Sequence, residues 1–471
     1  MTQTELSAQD AFNKALEEKD FDTAEQICAR ESQKYPDSAV WLTARGNLDF
    51  SNGRYEAAER AYRRVLRSAP DEPTALCNLT GVLYETARYD EALACANAVL
   101  SQDENNTTAL LHKGNVLNAL NDDDGALACY EAVEKIEKNN TAAIANQAYV
   151  YAKKGQTARA EKIYAALLKD EPDNVEWLSA LASAQEQNGD ALACAQTYFK
   201  ILQIQPSTAW HITFGGAVYG LRAKGNEKET ARLTDAWLTA FPDNPIALHT
   251  LQTLAQNDTE SRASEAYVRE LFDTFADCFD SVLADLRYAA PQYVADALKN
   301  RDGYFSAALD LGCGTGLCGK AMTDAGVRFQ TLTGVDLSEK MMEKAAERGV
   351  YTHFENADIV AYLQTQKDAF DAIVSSDVFT YLGDLSALFA GAARALRTNG
   401  ALVFTVSANE ENPQSFKLTP SGRYVHGAAY LEKSLKSAGF DVESVQNAVL
   451  RYEMGEAVNG YLIEAVKRER S

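Results

Sequence analysis

The stretch ALDLGCGTG, Ala308 to Gly316, decides how the second half of this chain folds. An apolar run ends in Asp310, a glycine-rich turn follows, and a helix-period segment occupies 315–326. Gly312, Gly314 and Gly316 let the backbone turn sharply and approach a ligand, while helix-start N–H groups stay free to bond. Asp336 closes the next apolar run, 20 residues after Gly316, where it could accept both hydroxyls of a ribose. Asp358, in ENADI, follows the third run and could accept an adenine amino group. A lone GxGxG is weak evidence; three such features at three successive strand ends point to a nucleoside site.

Outward from this motif, strand-length apolar runs alternate with helical stretches. SAALDL is followed by 315–326, TLTGVD by 338–348, VYTHFE by 358–366 and FDAIVSS by 384–397, before ALVFTVS. That order predicts a parallel, doubly wound (Rossmann-like) α/β sheet. A helix near 427–438 follows, then DVESVQNAVLRYE and AVNGYLIEAVKR, spaced to pair as an antiparallel hairpin. Upstream, 265–300 reads as two helices, EAYVRELFDTFADCFDSVL and APQYVADALKN. The polar segment QNDTESRAS, 256–264, sets a boundary near Asn257, giving domains 1–257 and 258–471.

The first domain has a different rhythm. Prolines stand at 36, 70, 172, 206 and 242, a period of 34 residues with one step of 36. In that phase fall Ala24, Ala58, Ala92, Ala126, Ala160 and Cys194, and four residues later Cys28, Tyr62, Ala96, Tyr130, Tyr164 and Tyr198. Small residues recur at Gly46, Gly81 (one off register), Gly114, Ala148 and Ala182, with turn glycines at Gly53, Gly155 and Gly189. A small residue lets two helices approach, and an aromatic four positions on shares its face, so these are core positions. Asp122, Asp123 and Asp124 read as a solvated turn between helices.

Residues 5–245 resemble the tetratricopeptide repeat, with six clear units and a degenerate seventh. That resemblance implies an all-α solenoid whose concave face binds a peptide or protein surface. Residues 265–471 resemble the class I S-adenosylmethionine-dependent methyltransferases, which implies a seven-stranded sheet with an antiparallel last strand. It also implies that Asp310 with Gly312, Gly314 and Gly316 holds the methionine part, Asp336 the ribose, and Asp358 with Ala357 the adenine. Cys313, Leu337 and Ser376 complete the expected cofactor set. GCGTG lacks the GxGxxG spacing of NAD enzymes, since Gly319 falls three residues after Gly316. An aromatic from 271–291 covers the cofactor in related enzymes, which falls here on Phe279 or Phe275, inside lid helices 265–300.

SSDVFTYLGDL, 375–385, leaves the fourth strand where substrate meets the methyl group in this fold. Asp377, Phe379 and Tyr381 alternate there; Asp377 and Tyr381 are the candidates for orienting or deprotonating the acceptor, with His426 behind them. The plainer readings are an N-cap for Asp384 and a structural or surface role for His426. A phenol or carboxylate acceptor would instead favour a positive neighbour such as Arg423.

Charge narrows the partners. The 471 residues carry 67 Asp+Glu against 45 Lys+Arg, a formal net charge of -22. Both parts are acidic, with 24 basic and 36 acidic residues through Asn257, and 21 and 31 beyond. Nucleic acid and anionic membrane surfaces are poor partners for such faces. The eight cysteines form no CxxC pair and sit near no histidine cluster, so neither zinc nor a disulfide framework is expected, and no metal. With no signal or membrane-spanning run, a cytoplasmic protein is expected. The favoured function is methylation of a side chain, lysine first because both domains are acidic, on a protein recruited by the repeats. One alternative is a small-molecule methyltransferase whose repeats dimerise or tether the chain, forming a homodimer. Another is a binding scaffold with a vestigial methyltransferase domain.

Overall fold

The computed structural model describes residues 3–18, 20–255, 262–301, 303–453 and 455–468. It divides into two compact units, Met1–Thr197 and Tyr198–Ser471. The boundary expected near Asn257 lies outside the described residues.

In the first unit, antiparallel helix pairs follow one another, as in Ala39–Ser51 with Tyr55–Ser68 and Thr107–Ala119 with Asp123–Ile136. The phase-matched alanines Ala24, Ala58, Ala92, Ala126 and Ala160 are fully buried, and Cys194 nearly so. Close approach explains the glycines: a Cβ at Gly46 or Gly114 would lie 2.4 Å from the ring of Tyr62 or Tyr130. Each tyrosine then reaches a neighbouring asparagine, Tyr62 to Asn47 (2.7 Å) and Tyr130 to Asn115 (2.8 Å). The acidic turn is structural too. Asp122 accepts the Gly125 N–H, while Asp123 and Asp124 pair with Lys153 and Lys154 of the next repeat.

The second unit begins within helix Ala191–Ile204 and goes on through helices Thr208–Ala223, Glu227–Ala240 and Pro245–Leu254, which continue the helix-turn-helix pattern. The last of these touches the remainder of the unit. His249 stacks on Tyr267 (3.8 Å between ring centres), and its Nε2 donates to the Gly422 carbonyl (3.0 Å).

The sheet that follows comprises β1 (Tyr304–Leu311), β2 (Arg328–Asp336), β3 (His353–Asn356), β4 (Phe370–Ser376) and β5 (Leu396–Ser407). A short ribbon of β6 (Phe416–Leu418) and β7 (Tyr424–His426) intervenes, then β8 (Phe440–Glu453) and β9 (Glu456–Lys467). The order is β3-β2-β1-β4-β5-β9-β8, parallel through β5, with β9 antiparallel between β5 and β8. Residues buried on both faces make the parallel strands read as apolar runs. Leu309, Ile373 and Phe404 pack with helices 359–365, 386–395 and 428–438, while Ala308, Val374 and Val403 pack with 290–299 and 317–324.

One local expectation is corrected. The stretch 265–283 is not one helix but two, Glu265–Phe275 and Phe279–Asp285, each tied to a different partner. Asp273 accepts from the Ser338 hydroxyl, whereas Asp280 accepts from the Thr315 hydroxyl (2.5 Å each) and pairs with Arg348. The ribbon of β6 and β7 carried no expectation; its strands are only three residues each.

Candidate functional site

The site lies at the carboxyl ends of β1, β2 and β4, where parallel strands hand over to their helices. Gly312 and Gly314 adopt left-handed φ values of 69° and 52°. A Cβ on Gly314 would meet nothing nearer than Phe279 at 3.9 Å, so the backbone there is open to the cavity. Asp336, nearly buried at the end of β2, accepts the Gly314 N–H (2.8 Å) and the Ser338 N–H (2.9 Å). It thus fixes the glycine turn, and burial raises its pKa against those backbone bonds. A carboxylate has about four lone-pair positions, so Asp336 retains acceptor capacity for two hydroxyls. Asp358 caps helix Ile359–Thr365 through the Ala361 N–H (2.9 Å) and is also held by Arg262 (2.5 Å).

One cavity gathers most of the expected residues. Gly312, Cys313, Gly314, Asp336, Leu337, Asp358, Ser376 and Phe279 line it, together with Asp377 and Tyr381. Asp310, Gly316 and Ala357 do not line it, nor does Phe275. Asp310 is buried beneath the glycine turn, where Oδ2 accepts from the Tyr351 hydroxyl (2.6 Å) and Oδ1 has no hydrogen-bond partner among the described residues.

Burial pushes the Asp310 pKa up to about 7; the Tyr351 hydroxyl opposes this and the charge of Asp336 adds to it. A carboxyl whose folded value is raised stabilises the fold fully below its unfolded value and loses that contribution as pH rises through 7. The unliganded protein should therefore lose stability between pH 5 and 9. Asp310→Asn should remove most of that slope, worth on the order of a few kcal/mol. Denaturant melts at the two pH values check this; equal slopes in both proteins would count against it.

The acceptor end departs from the sequence reading. The expected alternation of Asp377, Phe379 and Tyr381 presumes extended backbone, but Phe379–Tyr381 is a 3₁₀ turn following Asp377 at a φ of 57°. Phe379 therefore turns into the core against Phe404 (5.0 Å), while Tyr381 faces the cavity. His426 is corrected as a candidate for acceptor chemistry. It is fully buried outside the lining, its Nε2 donates to the Gly383 carbonyl (3.0 Å), and burial pushes its pKa down to about 4.

Sequence reasoning missed much of the lining. Phe272 makes edge contacts with Phe279 (5.8 Å) and Tyr381 (5.4 Å). Phe272 stands seven residues before Phe279, across the break between helices Glu265–Phe275 and Phe279–Asp285, so no continuous helical spacing joins them. Tyr288 closes another wall and donates to the Ser376 carbonyl (3.0 Å). Arg451, from β8, is 5% exposed, pairs with Asp377, and donates Nε to Glu453 (2.7 Å). Burial raises the Asp377 pKa, and Arg451 and then Arg423 oppose that rise.

Among the described residues no group of three or more His, Cys, Asp or Glu is placed to hold a metal ion. No helix among them is long and apolar enough to cross a membrane.

Residues 308–400 match the family model of a methyltransferase domain, and residues 49–113 and 146–207 match tetratricopeptide-repeat models. The trans-aconitate 2-methyltransferase of Agrobacterium fabrum is 33% identical over 22% of this chain and 40% of its own length. A ubiquinone biosynthesis O-methyltransferase of Thiobacillus denitrificans is 29% identical over 28% of this chain and 55% of its own. The malonyl-[acyl-carrier protein] O-methyltransferase of Salmonella typhimurium is 30% identical over 26% and 48%. The chain spans about half the length of the curated relatives it matches. It joins tetratricopeptide repeats to a methyltransferase domain.

Proposed function

We propose that this protein is an S-adenosylmethionine-dependent methyltransferase acting on a substrate that its repeats recruit. One observation carries the reading: Gly312, Gly314, Asp336 and Asp358, from three successive strand ends, line a single cavity beneath Phe272 and Phe279. In this reading Asp336 holds the ribose, Asp358 the adenine, and the glycine turn the methionine part. Asp310 acts from below by accepting from the Tyr351 hydroxyl, whose oxygen in turn accepts the Gly319 N–H of the turn's helix (3.1 Å). Bound there, S-adenosylmethionine supplies an electrophilic methyl on a sulfonium. The chain's task is positioning, since aligning reactants supplies effective molarities on the order of 10⁵ M or more. Tyr381 orients the acceptor, and Phe272, Phe279 and Tyr288 exclude water.

A protein substrate is favoured by the repeats, whose stacked helices serve partner binding in solenoids generally. Lysine follows from the overall acidity, but Asp377, the acid that would receive its ammonium, is already paired with Arg451. The second reading is a small-molecule methyltransferase, favoured by relatives named for trans-aconitate and for ubiquinone biosynthesis. A scaffold with a vestigial domain would not bind the cofactor.

Removing 1–197 separates these readings, because helices 208–254 belong to the same compact unit as the sheet. Full-length and truncated protein are incubated with radiolabelled S-adenosylmethionine and a lysate lacking the enzyme. The expected result is a labelled protein band lost on truncation, with S-adenosylhomocysteine affinity within twofold. Label confined to metabolites would support the second reading, and no binding of S-adenosylhomocysteine the scaffold.

A further inference from the structure

We propose that the acceptor end of the cavity takes a carboxylate, held by Arg423, and that the product is a methyl ester. This rests on the methyltransferase reading above and names its acceptor class.

Three charged side chains line that end: Asp377, Arg423 and Arg451. Asp377 and Arg451 are spent on each other, and a second oxygen of Asp377 receives the Ser407 hydroxyl at 3.4 Å. Arg451 also donates Nε to Glu453 Oε1, and Arg423 donates Nη1 to that same oxygen (2.7 Å each). One carboxylate oxygen thus answers two guanidinium groups. Arg423 gives only Nη1 to this contact; its Nη2 and Nε have no hydrogen-bond partner among the described residues. Its side chain is 37% exposed and lines the cavity, so these donors are available to a ligand. A guanidinium offers a planar fork matched to a carboxylate.

The absence of a free base points the same way. Among the described residues every carboxylate in the lining is engaged: Asp336 by two backbone N–H groups, Asp358 by Arg262 and the Ala361 N–H, Asp377 by Arg451. His426 lies outside the lining. An amine or phenol acceptor must lose a proton, with free pKa values of about 10.4 and 10. A carboxylate is already ionised at neutral pH and needs no base. Its oxygen lone pair forms the new O–CH₃ bond while the C–S bond breaks with its electron pair onto sulfur. Negative carboxylate and positive sulfonium become neutral ester and neutral thioether, and no proton is taken up or released. Arg423 holds the oxygen that does not attack. Sharing its charge with Glu453 keeps that grip from quenching the nucleophile.

Alkali chemistry tests the class before any substrate is identified. Full-length protein is incubated with methyl-tritiated S-adenosylmethionine and lysate, and the product is treated with mild base. Methyl esters release the label as volatile methanol, whereas N-methyl groups and aryl methyl ethers retain it. We expect volatile label, reduced about tenfold or more in Arg423→Gln and partly restored in Arg423→Lys, in line with loss of a charge-assisted hydrogen bond. Alkali-stable label overturns the assignment, as does absence of label from protein that binds S-adenosylhomocysteine. Failure to bind S-adenosylhomocysteine fails the methyltransferase reading itself and is thereby told apart. A second readout avoids turnover. Malonate titrated into protein saturated with S-adenosylhomocysteine gives saturable heat that Arg423→Gln loses, with S-adenosylhomocysteine affinity unchanged within twofold. Equal heats from the two proteins overturn the proposal.

Discussion

Asp336→Ala lowers S-adenosylhomocysteine affinity by roughly a hundredfold or more, about 3 kcal/mol, in calorimetric titration of the full-length protein. Two effects add. The variant loses a charged acceptor for the ribose hydroxyls, and hydrogen bonds to charged groups contribute about 1.5–3 kcal/mol each. It also frees the Gly314 and Ser338 N–H groups that the carboxylate now holds, so the glycine turn must be ordered at the moment of binding. Asp336→Asn separates the two, because its amide oxygen can retain one backbone bond while the charge is lost. An alanine variant within threefold of the native affinity would remove Asp336 from the cofactor site.

Arg451→Met has the largest expected effect on stability. Its removal leaves Asp377 almost buried without its cation and strips Glu453 of one of two donors. Breaking a buried pair from one side costs about 3–5 kcal/mol, because the remaining charge is uncompensated. For a unit of this size that is a fall of about 10 °C in Tm. The effect should depend on pH in a defined direction. Without Arg451 the Asp377 carboxyl takes a proton more readily, raising further a folded pKa that burial already holds above the unfolded value. The stability of the variant is then greatest in acid and falls as pH rises through that value, so the gap to the native protein narrows from pH 8 to pH 5.5. Asp377→Asn combined with Arg451→Met should recover most of the loss, and calorimetric melts of the single and double variants measure the coupling. Additive losses at both pH values would show that the pair is not the source.

The legible parts of this molecule were those governed by period. Helix pairs in the repeats and alternating strands and helices in the sheet announce themselves over tens of residues, since burial selects side chains at fixed spacing. Gly312, Gly314 and Asp336 were legible for a related reason, as sharp turns at strand ends demand particular residues. Arg451 was not. Its partner Asp377 lies 74 positions earlier, and nothing local in DVESVQNAVLRYE distinguishes a cavity arginine from a surface one. Tyr381 lines the cavity although the backbone reading that singled it out was wrong. In a 3₁₀ turn of three residues per turn, positions 379 and 381 diverge, which sends Phe379 to the core and leaves Tyr381 at the cavity. His426 had the right chemistry for a base and the wrong surroundings, since a buried imidazole bonded to a carbonyl gives no sign of itself in sequence.

The position of β9 between β5 and β8 bears on how the chain acquires its structure. In the first unit, hydrogen bonds between side chains of successive repeats span about one repeat, from 27 residues for Arg64 with Asp37 to 35 for Lys153 with Asn118, so order can propagate as each repeat leaves the ribosome. The second unit closes on itself across far greater separations: 173 residues for His249 with Gly422, 156 for Tyr293 with Val449, 163 for Arg301 with Glu464. Its sheet cannot be joined until Glu456–Lys467 has been made, because β8 reaches β5 only through that strand. Long-range pairing of this kind folds slowly. The repeats are therefore assembled first during synthesis, and the catalytic half waits for the last dozen residues of its sheet.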